Sequence, residues 1–262
     1  HQPLQMKKLI LLPLLFVSCI LFAQQYGTMY VAAKTGLSIR EKQDAASKVL
    51  DKIPYGTKIT LLETNEERKS IVTEGITGYW QKVKYNNKTG YILDSYLFPW
   101  PAPKLATVKE MKNYLTQNTV PFGAKLIVKS GSMNNIEEMG WEVQKQLYKN
   151  GAEWHKHLGY ESGSDTYFLP GFTMEQGFLL LRLIPEFKEV FGEKDTYPTE
   201  SKTYKKGETE YILTVDKETY GEGEFKFTWV KRISLEFSPD ISYIFEMFML
   251  GNELVIVFGG GV

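Results

Sequence analysis

Residues 78–85 read Gly78-Tyr79-Trp80-Gln81-Lys82-Val83-Lys84-Tyr85, a run of aromatic, polar and β-branched side chains that is typical of a β-strand. Asn87 follows it and suits the positive φ of a tight hairpin. A sheet of a few short strands cannot cover its own apolar face when open, so we expect it to close into a small β-barrel. Four other runs complete a predicted set of five strands: Met29-Tyr30-Val31-Ala32, Leu37-Ser38-Ile39-Arg40, Lys58-Ile59-Thr60-Leu61-Leu62 and Gly90-Tyr91-Ile92-Leu93.

Six short motifs follow one another in this part of the chain: Leu37-Ser38-Ile39-Arg40, Ser47-Lys48-Val49-Leu50, Tyr55-Gly56-Thr57-Lys58-Ile59, Gly78-Tyr79-Trp80-Gln81-Lys82-Val83, Gly90-Tyr91-Ile92 and Ser95-Tyr96-Leu97. In this order they resemble the motifs of bacterial SH3 (SH3b) domains. The resemblance covers residues 26–98 and implies an SH3-like barrel. The chain departs from the family pattern at Glu41-Lys42-Gln43-Asp44 and in the charged segment 63–76, and both departures are expected to be loops.

Four aromatic residues in the second half of this barrel, Tyr79, Trp80, Tyr85 and Tyr91, are the candidate binding residues. Exposed aromatic rings hold peptide or glycan chains through their apolar faces. The alternative is that these rings fill the interior, since a barrel this small needs large side chains to build a core. Peptidoglycan or another envelope component is the ligand that the SH3b resemblance implies.

An export signal is predicted at the beginning of the chain. Met6-Lys7-Lys8 supplies a charged segment, the run 9–23 is apolar, and cleavage is expected after Ala23. Residues 1–5 precede the signal and are treated as an upstream extension. The apolar run is shorter than the roughly 20 residues that span a bilayer, so a periplasmic, surface or extracellular protein is expected. The alternative is lipidation at Cys19, the only cysteine, which would anchor the protein to a membrane.

A Pro-rich stretch at residues 99–104 is predicted to be an extended linker to a second, α+β domain at residues 105–262. Helical spacing in this domain predicts three helices followed by a short turn that begins at Pro185. The predicted capping boxes pair Thr107 with Glu110 and Thr173 with Gln176. The apolar positions are Leu105, Val108, Met111 and Leu115 in the first helix, Ile136, Met139, Val143 and Leu147 in the second, and Phe178, Leu181 and Ile184 in the third.

From Tyr204 onward the apolar residues recur at every second position, which predicts an antiparallel β-meander covered by the preceding helices. Gly251-Asn252 is predicted to be a two-residue hairpin turn. Phe225, Phe227 and Trp229 are interpreted as sheet core, and the final glycines 259–261 as a flexible tail. The sequence of this domain resembles no family that we identify.

Composition and motifs indicate a protein that is not an enzyme. With 31 basic and 31 acidic residues the chain carries no net field to attract nucleic acid. Cleavage after Ala23 would remove the only thiol, and no nucleophile or phosphate-loop motif occurs, so neither a catalytic residue nor a cofactor is predicted. His155 and His157 are weak candidates for a metal site, and two solvated loop histidines are the favoured interpretation.

These observations favour an exported binding protein whose SH3b module attaches to cell-wall peptide or to another envelope component. One alternative is a hydrolase of envelope polymers, with carboxylates or a His-based metal site within residues 105–262. The other is a structural protein in which the barrel supports protein–protein contacts.

Overall fold

A computed structural model describes residues 27–262, and this part of the chain is mostly β-structure. The predicted export signal, its cleavage after Ala23 and the alternative lipidation of Cys19 lie outside the described residues. Among residues 27–262, no helix combines the length and the apolar character needed to cross a membrane.

The first part of the structure is a small β-barrel. Its strands are β1 Thr28–Val31, β2 Leu37–Arg40, β3 Val49–Ile53, β4 Lys58–Thr60, β5 Ser70–Thr73, β6 Ile76–Tyr85, β7 Lys88–Leu93 and β8 Leu97–Phe98. The strands β2, β3, β5, β6 and β7 form one antiparallel sheet, and β1, β4 and β8 form a second. Leu61 bridges to Val83 and so connects the two sheets. The five predicted strands are all present, with three more, and Asn87 has the expected positive φ of 60°.

The barrel has its own apolar core. Val31, Ile39, Ile53, Val83 and Ile92 are fully buried. They come from five different strands and alternate with more exposed residues, as expected for strands with one face turned inward. This core holds the SH3-like part of the chain together.

The second part is built on one antiparallel sheet. Its elements are α1 Met111–Asn118, β9 Pro121–Ser130, β10 Trp141–Tyr148, β11 Glu153–Gly159, β12 Ser162–Pro170, α2 Met174–Leu181, β13 Lys202–Lys206, β14 Thr209–Tyr220, β15 Phe227–Phe237, β16 Ser242–Leu250 and β17 Glu253–Gly261. Within residues 121–261 the sheet has nine strands in the order β13-β14-β15-β16-β17-β12-β11-β10-β9. The pairing of β12 with β17 joins the strands β9–β12 to the strands β13–β17.

The helix α2 confirms the third predicted helix. Its capping box is the predicted one, in which Thr173 Oγ1 accepts from the backbone N–H of Gln176 and the Gln176 side chain accepts from the Thr173 N–H. Phe178 is fully buried, and its ring packs edge-on against Phe191 and Tyr197. Gly177 permits the helix α2 to lie close to the strand β17, because an added Cβ at this position would lie 2.4 Å from a Leu254 methyl group. The short turn beginning at Pro185 is also present, as a 3-10 helix.

The predicted second helix is wrong. Val143 and Leu147 lie in the strand β10, which pairs with β9 and β11, whereas Ile136 and Met139 lie in the preceding turns and are 63% and 62% exposed. An apolar residue at every third or fourth position fits a helix, but the same side chains also satisfy a strand that contains a bulge. The ladder of cross-strand hydrogen bonds then outweighs the local pattern.

The first predicted helix begins later than expected. The structure starts α1 at Met111, with Glu110 and Asn113 as the capping box instead of Thr107 and Glu110. The order of helices followed by a meander is not confirmed, because α2 lies between the strand groups β9–β12 and β13–β17. The glycines 259–261 lie in the paired strand β17 and are not a tail.

The hairpin of β14 and β15 extends beyond the neighbouring strands. Beyond Asp216, the hairpin residues that the structure describes pair only with each other, since β13 pairs with β14 up to Leu213 and the pairing of β15 with β16 begins at Arg232. Phe225, Phe227 and Trp229 lie in this arm and are 85%, 57% and 39% exposed, so the prediction that they form sheet core is wrong. Their alternation fits a strand, but in the described structure these side chains lie outside the buried apolar cluster.

The barrel packs directly on the second part of the chain. Phe98 and Ile76 of the barrel belong to the same buried apolar cluster as Phe172 and Tyr114. Trp100, in the predicted linker, packs edge-on against Phe172 at 5.2 Å between ring centroids. The Tyr55 hydroxyl of the barrel donates to the Pro103 carbonyl (2.7 Å), and the Gln176 side chain donates to the Leu97 carbonyl (2.8 Å). Residues 99–104 therefore lie against both parts.

Candidate functional site

The strand β6 places two neighbouring aromatic side chains on opposite faces. Tyr79 lies opposite Ser70 of β5 and is 42% exposed, whereas Trp80 lies opposite Leu93 of β7 and is 4% exposed. Successive side chains of a strand point to opposite sides, which accounts for the separation. Each residue lines its own cleft.

Trp80 lies in a cleft between the barrel and the second domain, called here the junction cleft, with a volume of about 530 Å³. Trp80, Leu93, Tyr96 and Arg40 line it from the barrel. The second domain supplies four further lining residues: Leu179, Arg182, Leu183 and Glu193. Clefts of this volume at the junction of two domains are a common location for small-ligand sites.

Two ion pairs span the junction cleft. Lys34 Nζ lies 2.8 Å from Glu193 Oε1, and Arg182 Nη1 lies 2.9 Å from Glu74 Oε2. The Arg182 side chain is only 12% exposed and its guanidinium also lies over the Phe178 ring, at 5.2 Å. Burial raises the pKa of Tyr96, which also lines the cleft, to about 12, so its hydroxyl stays protonated and can donate at neutral pH.

The turn between β5 and β6 fixes the barrel against the second domain. The backbone N–H of Tyr197 donates to the Glu74 carbonyl at 2.8 Å. Gly75 has a φ of +78°, and an added Cβ would lie 2.8 Å from the Tyr197 carbonyl oxygen. The cleft therefore has walls that are held by backbone contacts as well as by charges.

Tyr79 lies in a second cleft, of about 320 Å³, on the other face of β6. The Arg68 guanidinium lies 5.2 Å from the Tyr79 ring centroid, and Arg68 Nη1 lies 3.3 Å from Asp94 Oδ2. The Tyr79 N–H donates to Asp94 Oδ1 at 2.7 Å. Burial raises the pKa of Asp94, while the hydrogen bond from Tyr79 and the charge of Arg68 act against that rise. Gln176 lines the opposite wall.

The Tyr91 side chain takes part in a polar network on the barrel surface. Its hydroxyl donates to Glu66 Oε2 at 2.5 Å, and Lys82 Nζ lies 2.8 Å from Glu66 Oε1 and 5.7 Å from the Tyr91 ring centroid. The hydrogen bond from Lys82 lowers the pKa of Glu66, and the Tyr91 hydroxyl adds to that effect. Tyr85 packs, half-buried, against the barrel core. The four predicted aromatic residues thus do not form one surface.

His155 and His157 do not lie in a loop, so that interpretation is wrong. Both lie within β11, which pairs with β10 and β12. His155 Nε2 lies 2.9 Å from Glu153 Oε2, and the His155 ring packs on Phe168 at 4.8 Å between centroids. In the described range 27–262, no group of three or more His, Cys, Asp or Glu side chains could hold a metal ion.

The second-domain residues of the junction cleft were not predicted as site residues. The apolar positions predicted for the third helix are Phe178, Leu181 and Ile184, and Leu179, Arg182, Leu183 and Glu193 belong to no predicted motif. Arg182 pairs with Glu74 and Glu193 with Lys34, so these contacts join residues far apart in the chain. Local sequence patterns do not reveal contacts between residues so far apart in the chain.

Comparison with known proteins agrees with the sequence resemblance for the barrel. No family model matches the second domain, and no curated protein matches the chain. Residues 35–98 match the family model of the bacterial SH3 domain, which confirms the predicted family of the barrel.

Proposed function

We propose that this protein is an exported, non-catalytic envelope protein that binds cell-wall peptide, or another envelope component, in the junction cleft. A bacterial SH3 domain suggests a cell-wall or protein-binding module. The single observation that carries the proposal is the position of Trp80 in a cleft of about 530 Å³ where this domain meets the second domain.

The chemistry of the junction cleft suits a short peptide. Trp80, Leu93 and Leu179 offer apolar surface, and Tyr96 offers a protonated hydroxyl as donor. Arg40 and Glu74 place charges of both signs on the walls. A wall peptide carries amide, amine and carboxylate groups along a short chain, and it can pair with such a mixed set.

The second domain takes part in the proposed recognition. Leu183 and Arg182 lie in the segment that follows α2, and they close one side of the cleft. Because the ion pair between Arg182 and Glu74 connects this side to the barrel, we expect the two domains to bind as one unit.

Co-sedimentation of the purified protein with isolated sacculi tests the proposal. The informative variant is Ser38→Trp, because Ser38 lines the cleft and an indole there would fill it. Lys84→Trp is the matched control, since Lys84 is exposed on the same strand as Trp80 but lies outside the cleft. We expect binding by the unmodified protein and by Lys84→Trp, and loss of binding by Ser38→Trp.

Two results would contradict the proposal. One is that the unmodified protein fails to sediment with sacculi and with envelope extracts. The other is release of wall fragments by the protein, detected by chromatography of the supernatant, since this would make it a hydrolase. Fractionation of cells that express the complete chain tests the proposed export, which recovery in the cytosol would contradict.

A further inference from the structure

A separate cleft lies at the edge of the nine-stranded sheet, beside β13. Its volume is about 570 Å³, and we call it the edge cleft. One wall is formed by Lys202, Tyr204 and Lys206 of β13. The facing wall is formed by the segment that follows Phe191, including Lys194 and Asp195. None of these residues lines the junction cleft.

The alternation of β13 presents a cationic and aromatic row to the edge cleft. Lys202, Tyr204 and Lys206 are two residues apart and therefore share one face of the strand. The intervening residues, Thr203 and Lys205, do not line the cleft. Lys202 Nζ lies 5.1 Å from the Tyr204 ring centroid, and Lys206 Nζ lies 5.9 Å from the Tyr204 centroid and 4.8 Å from the Tyr211 centroid, so the two ammonium groups lie beside the stacked rings.

The Tyr204 ring is held in place by a stack of aromatic side chains. It is parallel to the Tyr211 ring, with 5.2 Å between centroids and 12° between planes. Tyr211 stacks in turn on Phe237, at 4.9 Å and 11°. These rings belong to three neighbouring strands, so Tyr204 is positioned before any ligand arrives and costs little entropy on binding.

The edge cleft has an excess of unpaired positive charge. In the ion pairs formed among residues 27–262, Lys194, Lys202 and Lys206 do not take part. Of the two carboxylates of the cleft, Glu200 pairs with Lys217 and Asp195 accepts from the Gly192 N–H at 2.7 Å, so the three lysines face one carboxylate that is not ion-paired. Of the three cations that line the junction cleft, Lys34 and Arg182 are by contrast paired with Glu193 and Glu74.

We propose that the edge cleft binds an anionic saccharide. Ammonium groups attract carboxylate or phosphate groups, and an ordered tyrosine ring packs against the apolar face of a sugar ring. A row with a lysine on each side of such a ring matches a sugar that carries acidic groups at its edges. The site is independent of the proposed peptide site, and either could fail without the other.

Titration calorimetry of the full protein with defined oligosaccharides tests this site. The probes are a hexamer of galacturonate, a phosphorylated maltohexaose, and neutral maltohexaose. We expect the two acidic probes to bind, with affinity that falls as salt is raised, and the neutral probe to bind at least about tenfold more weakly. Equal binding of the neutral probe, or no binding of either acidic probe, would overturn the proposal.

Matched variants separate the site from general surface charge. Lys202→Gln combined with Lys206→Gln should weaken binding of the acidic probes about tenfold or more, because both lysine charges of the β13 wall are removed. Lys205→Gln removes one positive charge from the other face of β13 and should alter the affinity less than about twofold. An equal loss in both proteins would show that binding is non-specific and would overturn the proposal.

The aromatic part of the site has its own test. Tyr204→Leu should lower the affinity for the acidic saccharides severalfold while leaving binding of inorganic polyphosphate, which has no ring, unchanged. Thermal unfolding of each variant establishes that it is folded. If Tyr204→Leu binds both kinds of probe as the unmodified protein does, the site is a plain anion site and the saccharide assignment is wrong.

Discussion

Tyr79 and Trp80 are adjacent in β6, yet their side chains line two different clefts, and both clefts include residues of the second domain. Leu179 of α2 lies in the Trp80 cleft, and Gln176 of the same helix lies in the Tyr79 cleft. The helix α2 therefore reaches both faces of one barrel strand. Substitutions in β6 should distinguish the two clefts.

Trp80→Ala should destabilise the protein far more than Tyr79→Ala. Trp80 is 4% exposed, so its truncation leaves a cavity and costs about 3 to 5 kcal/mol. Tyr79 is 42% exposed, and its truncation should cost about 1 kcal/mol or less. Urea unfolding of both variants measures the difference. Similar losses in the two proteins would mean that the two side chains are not separated as described.

Gly75→Ala should disturb the attachment of the barrel to the second domain. Its φ is +78° and the new Cβ would meet the Tyr197 carbonyl at 2.8 Å, so we expect a loss of about 2 kcal/mol or more. Gly56→Ala is the control, because Gly56 has a similar φ of +76° but open space around it. The free energy of unfolding of Gly56→Ala should fall only by the cost of a positive φ at alanine, about 1 kcal/mol. Equal losses would argue against tight packing at Gly75.

Tyr91→Phe should raise the pKa of Glu66. The pKa of this carboxyl is lowered first by the hydrogen bond from Lys82 and next by the one from Tyr91. Without the Tyr91 hydroxyl the pKa should move part of the way towards its ordinary value, and carboxyl NMR titration measures it. An unchanged Glu66 pKa would contradict the Tyr91 contact.

The same network sets the sign of a pH effect on stability. Because the pKa of Glu66 is lower in the folded protein, its contribution is present above the ordinary carboxyl pKa and is lost as the pH falls through the folded value. Glu66 is on the surface, so we expect the effect to be small and to weaken with salt. Tyr79→Phe is the control for Tyr91→Phe and should leave the pKa of Glu66 unchanged, since the Tyr79 ring lies beside Arg68 and not beside Glu66.

Thr173→Ala should weaken α2, which carries the second-domain side of both clefts. The Thr173 hydroxyl accepts the Gln176 N–H, and loss of such a cap costs about 1 kcal/mol. Thr116→Ala is the comparison, because the exposed Thr116 hydroxyl only donates to carbonyls of its own helix α1, and its removal should change stability by about 0.5 kcal/mol or less. A larger effect of Thr116→Ala in chemical unfolding would contradict this assignment.

The barrel could be predicted from the sequence because its signals are local. Turn residues such as Gly56 and Asn87 fall between short runs with strand propensity, and their order matches a known family over residues 35–98. The cap at Thr173 is local in the same sense, and it was predicted with the right partner. These features need only a few neighbouring residues.

The errors arise where distant contacts decide the structure. Val143 and Leu147 fit a helical spacing, but β10 is fixed by its two neighbouring strands. Phe227 and Trp229 alternate like core residues, but they lie in the part of the β14–β15 hairpin that extends beyond its pairing with β13 and β16. The junction cleft depends on the pairing of Arg182 with Glu74, which no local pattern encodes.

Amide hydrogen exchange of the full protein, with and without soluble fragments of digested sacculi, tests the junction cleft most directly. We predict slower exchange in β2, β7 and the segment that follows α2, which contribute Arg40, Leu93 and Leu183 to the cleft, and unchanged exchange in β9 at the far edge of the large sheet. Protection that is absent, or that is confined to elements outside the cleft, would contradict the proposed site.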